Sequence, residues 1–345
     1  MFKGFWEELP RPIIGLSPMD GVTDAAFRFI VSKYGKPLLH ITEFVSVEGM
    51  NVGNPAKVFE PFKYSEVERP VIAQLFGTDT EAFYNAAIMV GEMGFDGIDI
   101  NMGCPAKNIS ARGAGAGLIQ NPKLAKEIIR SVKRGAKDFA EGKSSRDLDL
   151  PQTTKKFMAQ KWQQSAQKRR LLPVSVKTRI GFDDIVIEDW VRYLLEEEPV
   201  NISVHGRTLK QMYTGEANWE AIGKAAEIVK KTETSILGNG DIKSVADAHT
   251  KLQQYHLDGV LIGRASFGNP WIFQGHYPTL PERLKTALEH AYKYEELYGT
   301  TFFHPMRKHL AWYMHDFPGA KELRVELIKT NSASEVEKIL SLITK

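Results

Sequence analysis

Residues 94–108 read GFDGIDINMGCPAKN. Gly97–Asn101 is a short run built on Ile98 and Ile100, and it stops in Asn101-Met102-Gly103-Cys104-Pro105. An apolar run that ends in polar residues, glycine and proline is the pattern of a buried parallel strand opening into a loop. The same pattern recurs on both sides of it. Eight strands are expected, at Ile13–Ser17, Leu39–Thr42, Val71–Leu75, Gly97–Asn101, Val174–Thr178, Asn201–Val204, Ser235–Gly238 and Gly259–Ile262. Helical periodicity fills the gaps at Asp24–Tyr34, Thr80–Met93, Pro122–Lys137, Ile187–Glu197, Trp219–Lys230 and Ser244–Gln254. The fold class is therefore α/β. Eight alternating units fit a closed (β/α)8 TIM barrel better than a doubly wound sheet, which needs a reversal of strand order.

A barrel of this kind takes about 250 residues, and the chain has 345. The surplus falls in two places. About Asp138–Leu172 is polar and basic, with a short helix expected around Phe157–Gln167. After Trp271 the linker QGHYPTLP breaks the alternation, and Glu282–Lys345 reads as a small all-helical C-terminal domain. We expect a barrel over residues 1–275, interrupted by a basic insertion at about 138–172, and a helical unit over 282–345. Net charge is only +3, but residues 133–170 hold eleven Lys/Arg against four Asp/Glu, so the positive excess is local. The insertion is an αβ connection, which leaves the barrel at the N-terminal ends of the strands. Its cluster Lys168-Arg169-Arg170 and its rings Phe157 and Trp162 fit either a solvated excursion packed on the barrel, the reading we favour, or a second RNA-contacting arm.

Composition narrows the class further. No stretch is apolar enough to span a bilayer, and MFKGFWEELPRP lacks the core of a signal peptide. A single cysteine excludes an intrachain disulfide, a cysteine-based zinc site and an iron–sulfur cluster held by the chain's own thiolates. A monomer in a reducing cytoplasm, without a membrane, is the expectation. Five of the nine histidines lie in the tail without zinc-ligand spacing, so no metal site is expected.

Barrel enzymes build their sites at the C-terminal ends of the strands. Seven strand ends here carry polar or glycine clusters: Ser17-Pro18-Met19-Asp20, Gln74, Asp99 through Pro105, Lys177-Thr178-Arg179, His205-Gly206-Arg207-Thr208, Gly238-Asn239-Gly240-Asp241 and Gly263-Arg264. The last two occupy the positions where barrels commonly hold a phosphate. Glycine admits close backbone approach, and a helix start supplies amide donors. Either cluster alone could be a plain turn; together they favour a phosphate site with Arg264 as a donor.

The strings SPMDGVTD, QLFG, NMGCPAKN, RGAGAGL, VKTRIGFD, HGRT, QMYTGEANW, NGDI and IGRASFGNPW resemble those of the tRNA-dihydrouridine synthases. The tail MRKHLAWYMHDFPGAKELR is similar to the helical RNA-binding domain of that family. The resemblance spans roughly residues 11–137 and 173–327, and the family's usual short connection is replaced by the insertion. It implies an FMN-dependent oxidoreductase that reduces the C5–C6 double bond of particular uridines in tRNA, with NADPH as the reductant. By position, Pro18, Met19 and Asp20 would lie at the flavin, with Gln74, Lys177 and His205 on its polar edge. Asn239, Gly240, Asp241, Gly263 and Arg264 would hold the phosphate end. Asn101 would face the base, and Cys104 would be the catalytic proton donor.

The chemistry asks for the same residue types. Hydride added to C6 of a uracil leaves negative charge on C5 and O4, and C5 then needs a proton. A thiol with pKa near 8.5 is mostly protonated at neutral pH and can serve as the acid. A lone cysteine is usually a small buried hydrophobe, but Cys104 sits in a Gly-Cys-Pro turn at a strand end. Arg207 is taken as substrate-binding. Arg179 either contacts RNA or pairs with an acid. RGAGAGL is weak as a dinucleotide fingerprint and is expected to form a flexible loop over the substrate. In the tail, Arg307, Lys308, His309 and Arg324 with Trp312 and Tyr313 suit phosphates and exposed bases. Rival readings are an FMN barrel acting on a free pyrimidine, of the dihydroorotate dehydrogenase kind, and a non-catalytic tRNA-binding relative. The first has no use for such a tail, and the second has no use for Cys104, Lys177, His205 and Arg264 together.

Overall fold

The computed structural model describes residues 2–161 and 169–343. Its strands are β1 (Ile13–Leu16), β2 (His40–Ile41), β3 (Val45–Ser46), β4 (Val71–Phe76), β5 (Gly97–Met102), β6 (Val174–Gly181), β7 (Asn201–Thr208), β8 (Ser235–Asn239) and β9 (Gly259–Ile262). All pairings are parallel, in the order β2-β1-β9-β8-β7-β6-β5-β4-β3, and β2 also pairs β4. That last pairing closes eight strands into a TIM barrel, with the two-residue β3 added along the end of β4. Helices Ala25–Tyr34, Thr80–Glu92, Pro122–Ala140, Ile187–Leu195, Trp219–Val229 and Val245–Tyr255 surround it. Five of these start on a side-chain cap, from Asp24, Asp79, Asn121, Asn218 and Ser244, which satisfies an otherwise orphaned N–H.

The barrel interior explains where a site can form. Alternate residues of a strand face one side. At the N-terminal end a plug of Trp6, Ile13, Leu39, Ile41, Ile72, Leu237 and Leu261 fills the bore. One or two pleats further along, the bore-facing residues become Gln74, Asp99, Asn101, Lys177, His205 and Asn239. One end of the barrel is thus sealed by apolar packing while the other is polar.

The bounds of β6, β7 and the insertion helix differ from expectation. β6 and β7 run to Gly181 and Thr208, because Arg179 pairs with His205 and Gly181 with Thr208 across a register shift. The insertion helix is Gln152–Lys161, earlier than the expected Phe157–Gln167; it starts directly after Pro151, the residue that best tolerates a helix entrance. Trp162, Lys168 and the end of the expected helix lie outside the described residues. Phe157 stacks on Phe59 at 5.6 Å and Met158 is buried. Arg169 donates to the carbonyls of Phe139 and Lys143, and Arg170 pairs with Asp96 beside the start of β5. Both arginines are therefore spent on the barrel wall, which favours the packed excursion over an RNA arm.

Beyond residue 280 the helices Leu280–Tyr298, Met306–Tyr313, Ala320–Leu327 and Ala333–Ser341 gather a second apolar cluster that includes Ala26 of the barrel. The junction is also polar: Glu289 binds Lys33 and Tyr34, Tyr298 accepts from Ala25 N, and Lys63 donates to Leu297 O. Among the described residues no helix is long and apolar enough to cross a membrane.

Candidate active site

A cavity of about 570 Å³ opens at the polar end of the barrel, within the range of small-molecule and cofactor sites. Every sequence-predicted residue of the barrel lines it. Pro18, Met19 and Asp20 come from the loop after β1, and Gln74, Asn101 and Cys104 from β4 and β5. Lys177, Arg179, His205 and Arg207 come from β6 and β7. Asn239, Gly240, Asp241, Gly263 and Arg264 complete the far side. The tail residues Arg307, Lys308 and Arg324 do not reach it.

The far side gathers Gly240, Asp241, Gly263 and Arg264. Gly240 has φ +128°, and a Cβ there would meet Ala217 Cβ at 2.7 Å; one at Gly263 would meet Met19 Sδ at 3.3 Å. Glycine lets the backbone pass close to these neighbours. Arg264, at the start of a 3-10 turn, keeps its side chain 57% exposed. Asp241 accepts from Arg207 Nη2 at 2.6 Å, Ala217 N at 2.8 Å and Arg264 Nη2 at 2.5 Å. Burial would raise the Asp241 pKa, but these donors hold it below the usual carboxylate range. Asp241 therefore aims Arg264, and Arg207 is a buried brace that also donates through Nε to Thr214 O and through Nη2 to Gly215 O.

Across the cavity, burial and the nearby Arg179 charge bring the Lys177 ammonium down to about 8. Burial and the same cations push His205 well below its ordinary value, so at neutral pH it is an uncharged imidazole. Lys177 and His205 have no hydrogen-bond partner among the described residues, which leaves their donors to the cavity. Arg179 is 4% exposed and donates to the carbonyls of Gly103, Thr208 and Met212. It ties the loops after β5 and β7 together, so neither an acid pair nor a free RNA-binding group describes it. Gln74 is likewise committed, donating to Asp99 and accepting from Asn101.

Cys104 forms the opposite wall, 9% exposed in a cluster with Ile109, Ala114, Phe44 and Phe76. Burial raises its thiol pKa, while the Ala106 amide aimed at the sulfur opposes the rise. RGAGAGL is not a loop over the substrate. Gly115–Gln120 is a buried 3-10 turn, Ala116 N donates to Cys104 O, and a Cβ on Gly115 would stand 3.0 Å from Cys104 Cβ. Its small residues let the chain back the cysteine closely.

The tail also departs from expectation. Tyr313 is 1% exposed, within 3.2 Å of His290 Nδ1, and His309 is buried 3.5 Å from Asp24. Trp312 stacks on Phe267, ring centroids 4.1 Å apart. Tyr313 and His309 build the junction and are buried from bases, while Trp312 is half-buried on Phe267. Arg307 binds Thr330 O and Asn331, Lys308 binds Gly21 O, and Arg324 is exposed. Sequence reasoning passed over Phe44, Met212, Tyr213 and Phe267, which line the cavity. Phe44 follows Thr42-Glu43 at the one strand end outside the expected site, whereas Tyr213 lies in QMYTGEANW and needed only a role.

The comparisons agree with this geometry. A profile of the family described as dihydrouridine synthase matches residues 15–140 and 153–345, so only residues 141–152 of the insertion fall outside it. A probable tRNA-dihydrouridine synthase of Staphylococcus aureus (strain MRSA252) is 34% identical over 353 residues, covering 99% of this chain and 95% of the relative. Probable tRNA-dihydrouridine synthase 2 of Bacillus subtilis (strain 168) is 32% identical over 351 residues, covering 99% and 96%. Among solved structures, histamine dehydrogenase from Rhizobium sp. 4-9 matches with a TM-score of 0.51 at 12% identity, over 82% of this chain and 49% of that one. That likeness bears on the barrel fold alone.

Proposed function

The chain belongs to the dihydrouridine synthase family, and on that premise we propose that it reduces the C5–C6 double bond of uridines in tRNA, with FMN in the barrel mouth, NADPH as reductant and Cys104 as proton donor. The observation that carries this reading is one cavity with a cationic, glycine-floored end at Arg264 and the chain's single thiol on its wall. The residues fit FMN. Gly240, Gly263 and Arg264 would take the phosphate, and Lys177 and His205 offer unspent donors to the ring edge.

When bound and reduced, FMN supplies the hydride that C6 of the uracil receives. The protein's own part is to hold the base and protonate C5. Asn101 Nδ2 gives one hydrogen to Gln74 and keeps its second for the base. Cys104, its pKa raised by burial, holds its proton at neutral pH. The thiolate it becomes is met by the Ala106 amide and by the charges of Arg179 and Lys177. Lys177, at about 8, remains mainly charged near pH 7. The target uridine must leave its stack to reach the cavity, as base-modifying enzymes require, and the exposed Tyr213 stands at the mouth. We assign tRNA contact to the helices after residue 280, through exposed cations such as Arg324.

The test is direct. Purified protein should release FMN, and with NADPH it should form dihydrouridine in tRNA, located by mass mapping. A protein that neither carries nor takes up FMN would overturn the reading.

A further inference from the structure

Inside the barrel one line of hydrogen bonds ends at the cysteine, and each link has a direction. Asp99 is fully buried, and its carboxylate accepts from Ser175 Oγ at 2.6 Å and Gln74 Nε2 at 2.7 Å. These are its register neighbours on β6 and β4. Gln74 Oε1 accepts from Asn101 Nδ2 at 2.9 Å. Asn101 Oδ1 then accepts from the backbone N–H groups of Gly103 at 3.0 Å and Cys104 at 2.8 Å.

A carboxamide can sit either way round, and what it faces decides which way. An ionised carboxylate can only accept. Facing Asp99, Gln74 must present its NH2 to the carboxylate and its oxygen to Asn101. Asn101 in turn must offer its NH2 to Gln74 and its oxygen to the Gly103–Cys104 turn. Turning Asn101 round would set donor against donor at that turn, and turning Gln74 round would set oxygen against the Asp99 carboxylate and NH2 against NH2 at Asn101. No cation forms an ion pair with Asp99 among the described residues, and a buried carboxylate is expensive to keep. An apolar residue would fill the position at lower cost.

We propose that Asp99 is a positioning residue: as the terminal acceptor of this line it anchors Gln74 and Asn101 and so holds the Gly103–Cys104 turn, with its thiol, at the cavity wall. The inference rests on Cys104 being the proton donor. Burial lifts the Asp99 carboxyl to about 6, opposed by hydrogen bonds from Ser175 and Gln74 and by the Lys177 charge, so it is ionised at neutral pH. Oriented chains of this kind strengthen link by link in a dry interior.

Because the chain has one cysteine, alkylation of the purified full chain by iodoacetamide reads Cys104 alone. Asp99→Leu removes the acceptor. The freed turn should expose the thiol, bring its pKa back toward about 8.5 and raise alkylation at pH 7.5 by roughly tenfold. The kcat for tRNA should fall by about tenfold or more, with KM for tRNA unchanged. Asp99→Asn keeps the line, since the new oxygen can accept from Gln74 while the new NH2 donates to Ser175; both readouts should stay near wild type. Wild-type alkylation in Asp99→Leu would make Asp99 a filler. Equal defects in Asp99→Asn and Asp99→Leu would make its charge the operative property. Either result overturns the proposal. If Asp99→Leu fails to fold, Gln74→Glu and Gln74→Glu/Asp99→Asn ask the same question. The single variant sets two carboxylates face to face, and the double restores a donor opposite an acceptor. Recovery of the alkylation profile in the double variant is expected, and its absence overturns the proposal. A wild-type protein that reduces no tRNA would sink the functional reading, while the alkylation arm would still decide the role of Asp99.

Discussion

Replacing Arg264 by alanine should weaken FMN binding without weakening the fold. The guanidinium shares one nitrogen with Asp241 Oδ1 at 2.5 Å and is otherwise open to the cavity. Asp241 would not be stranded by its loss, because Arg207 and Ala217 N hold its other oxygen at 2.6 and 2.8 Å. A hydrogen bond to a charged group contributes about 1.5–3 kcal/mol. At 57% exposure water competes for the phosphate, so the lower part of that range applies, about 1.5–2 kcal/mol. That corresponds to roughly 10- to 30-fold in Kd. The assay is quenching of flavin fluorescence on titration into apoprotein, run in parallel with FMN and with riboflavin, which lacks the phosphate. Arg264→Ala should bind FMN that much more weakly and riboflavin unchanged, with the same thermal midpoint as wild type. Equal weakening for both flavins would remove Arg264 from the phosphate, and a fall in the midpoint would make it structural.

Three further expectations follow from other parts of the molecule. Rate should be level from about pH 6.5 to 7.5 and fall above about 8, because Lys177, lowered by burial to about 8, loses its charge as pH rises through that value, while the raised thiol pKa keeps Cys104 protonated beyond it; a rate independent of pH up to 10 would contradict this. Glu68→Gln leaves the buried Arg28, at 2.7 Å from its carboxylate partner, without a counter-charge, and should cost about 3–5 kcal/mol in urea unfolding; a loss below 1 kcal/mol would show that Arg28 is held by the carbonyls of Thr23 and Lys63 alone. Charge reversal of Arg169 and Arg170 should lower the thermal midpoint, through lost contacts to Phe139, Lys143 and Asp96, yet leave tRNA affinity and its salt slope unchanged; a flattened slope would restore the insertion as an RNA arm.

The barrel was legible because its strands are apolar runs cut off by polar clusters, and those clusters name the polar residues of the cavity but few of its apolar ones. What the pattern could not convey is how a polar residue is spent. Arg179, Arg207, Gln74 and Asp241 have the composition of ligand-binding groups, yet each turns its hydrogen bonds on the protein. RGAGAGL looked mobile because glycine permits it, whereas the small residues serve close packing behind Cys104. β3 is two residues long and carries no periodicity to read. In the tail, rings and cations of the sort that suit RNA are also the sort that dock a helical unit on a helix end, and only the contacts of His309, Trp312 and Tyr313 separate the two uses.

The central claim is that Cys104 delivers the proton as tRNA takes electrons from the flavin. Anaerobic single turnover separates the two halves of that statement. Wild-type and Cys104→Ala proteins loaded with FMN should be bleached by NADPH at the same rate, because the thiol has no part in that step. On addition of tRNA lacking dihydrouridine, the yellow colour should return in the wild type with one dihydrouridine formed per flavin, and should stay bleached in Cys104→Ala. Return of colour in Cys104→Ala at the wild-type rate, with dihydrouridine in the product, would contradict the account.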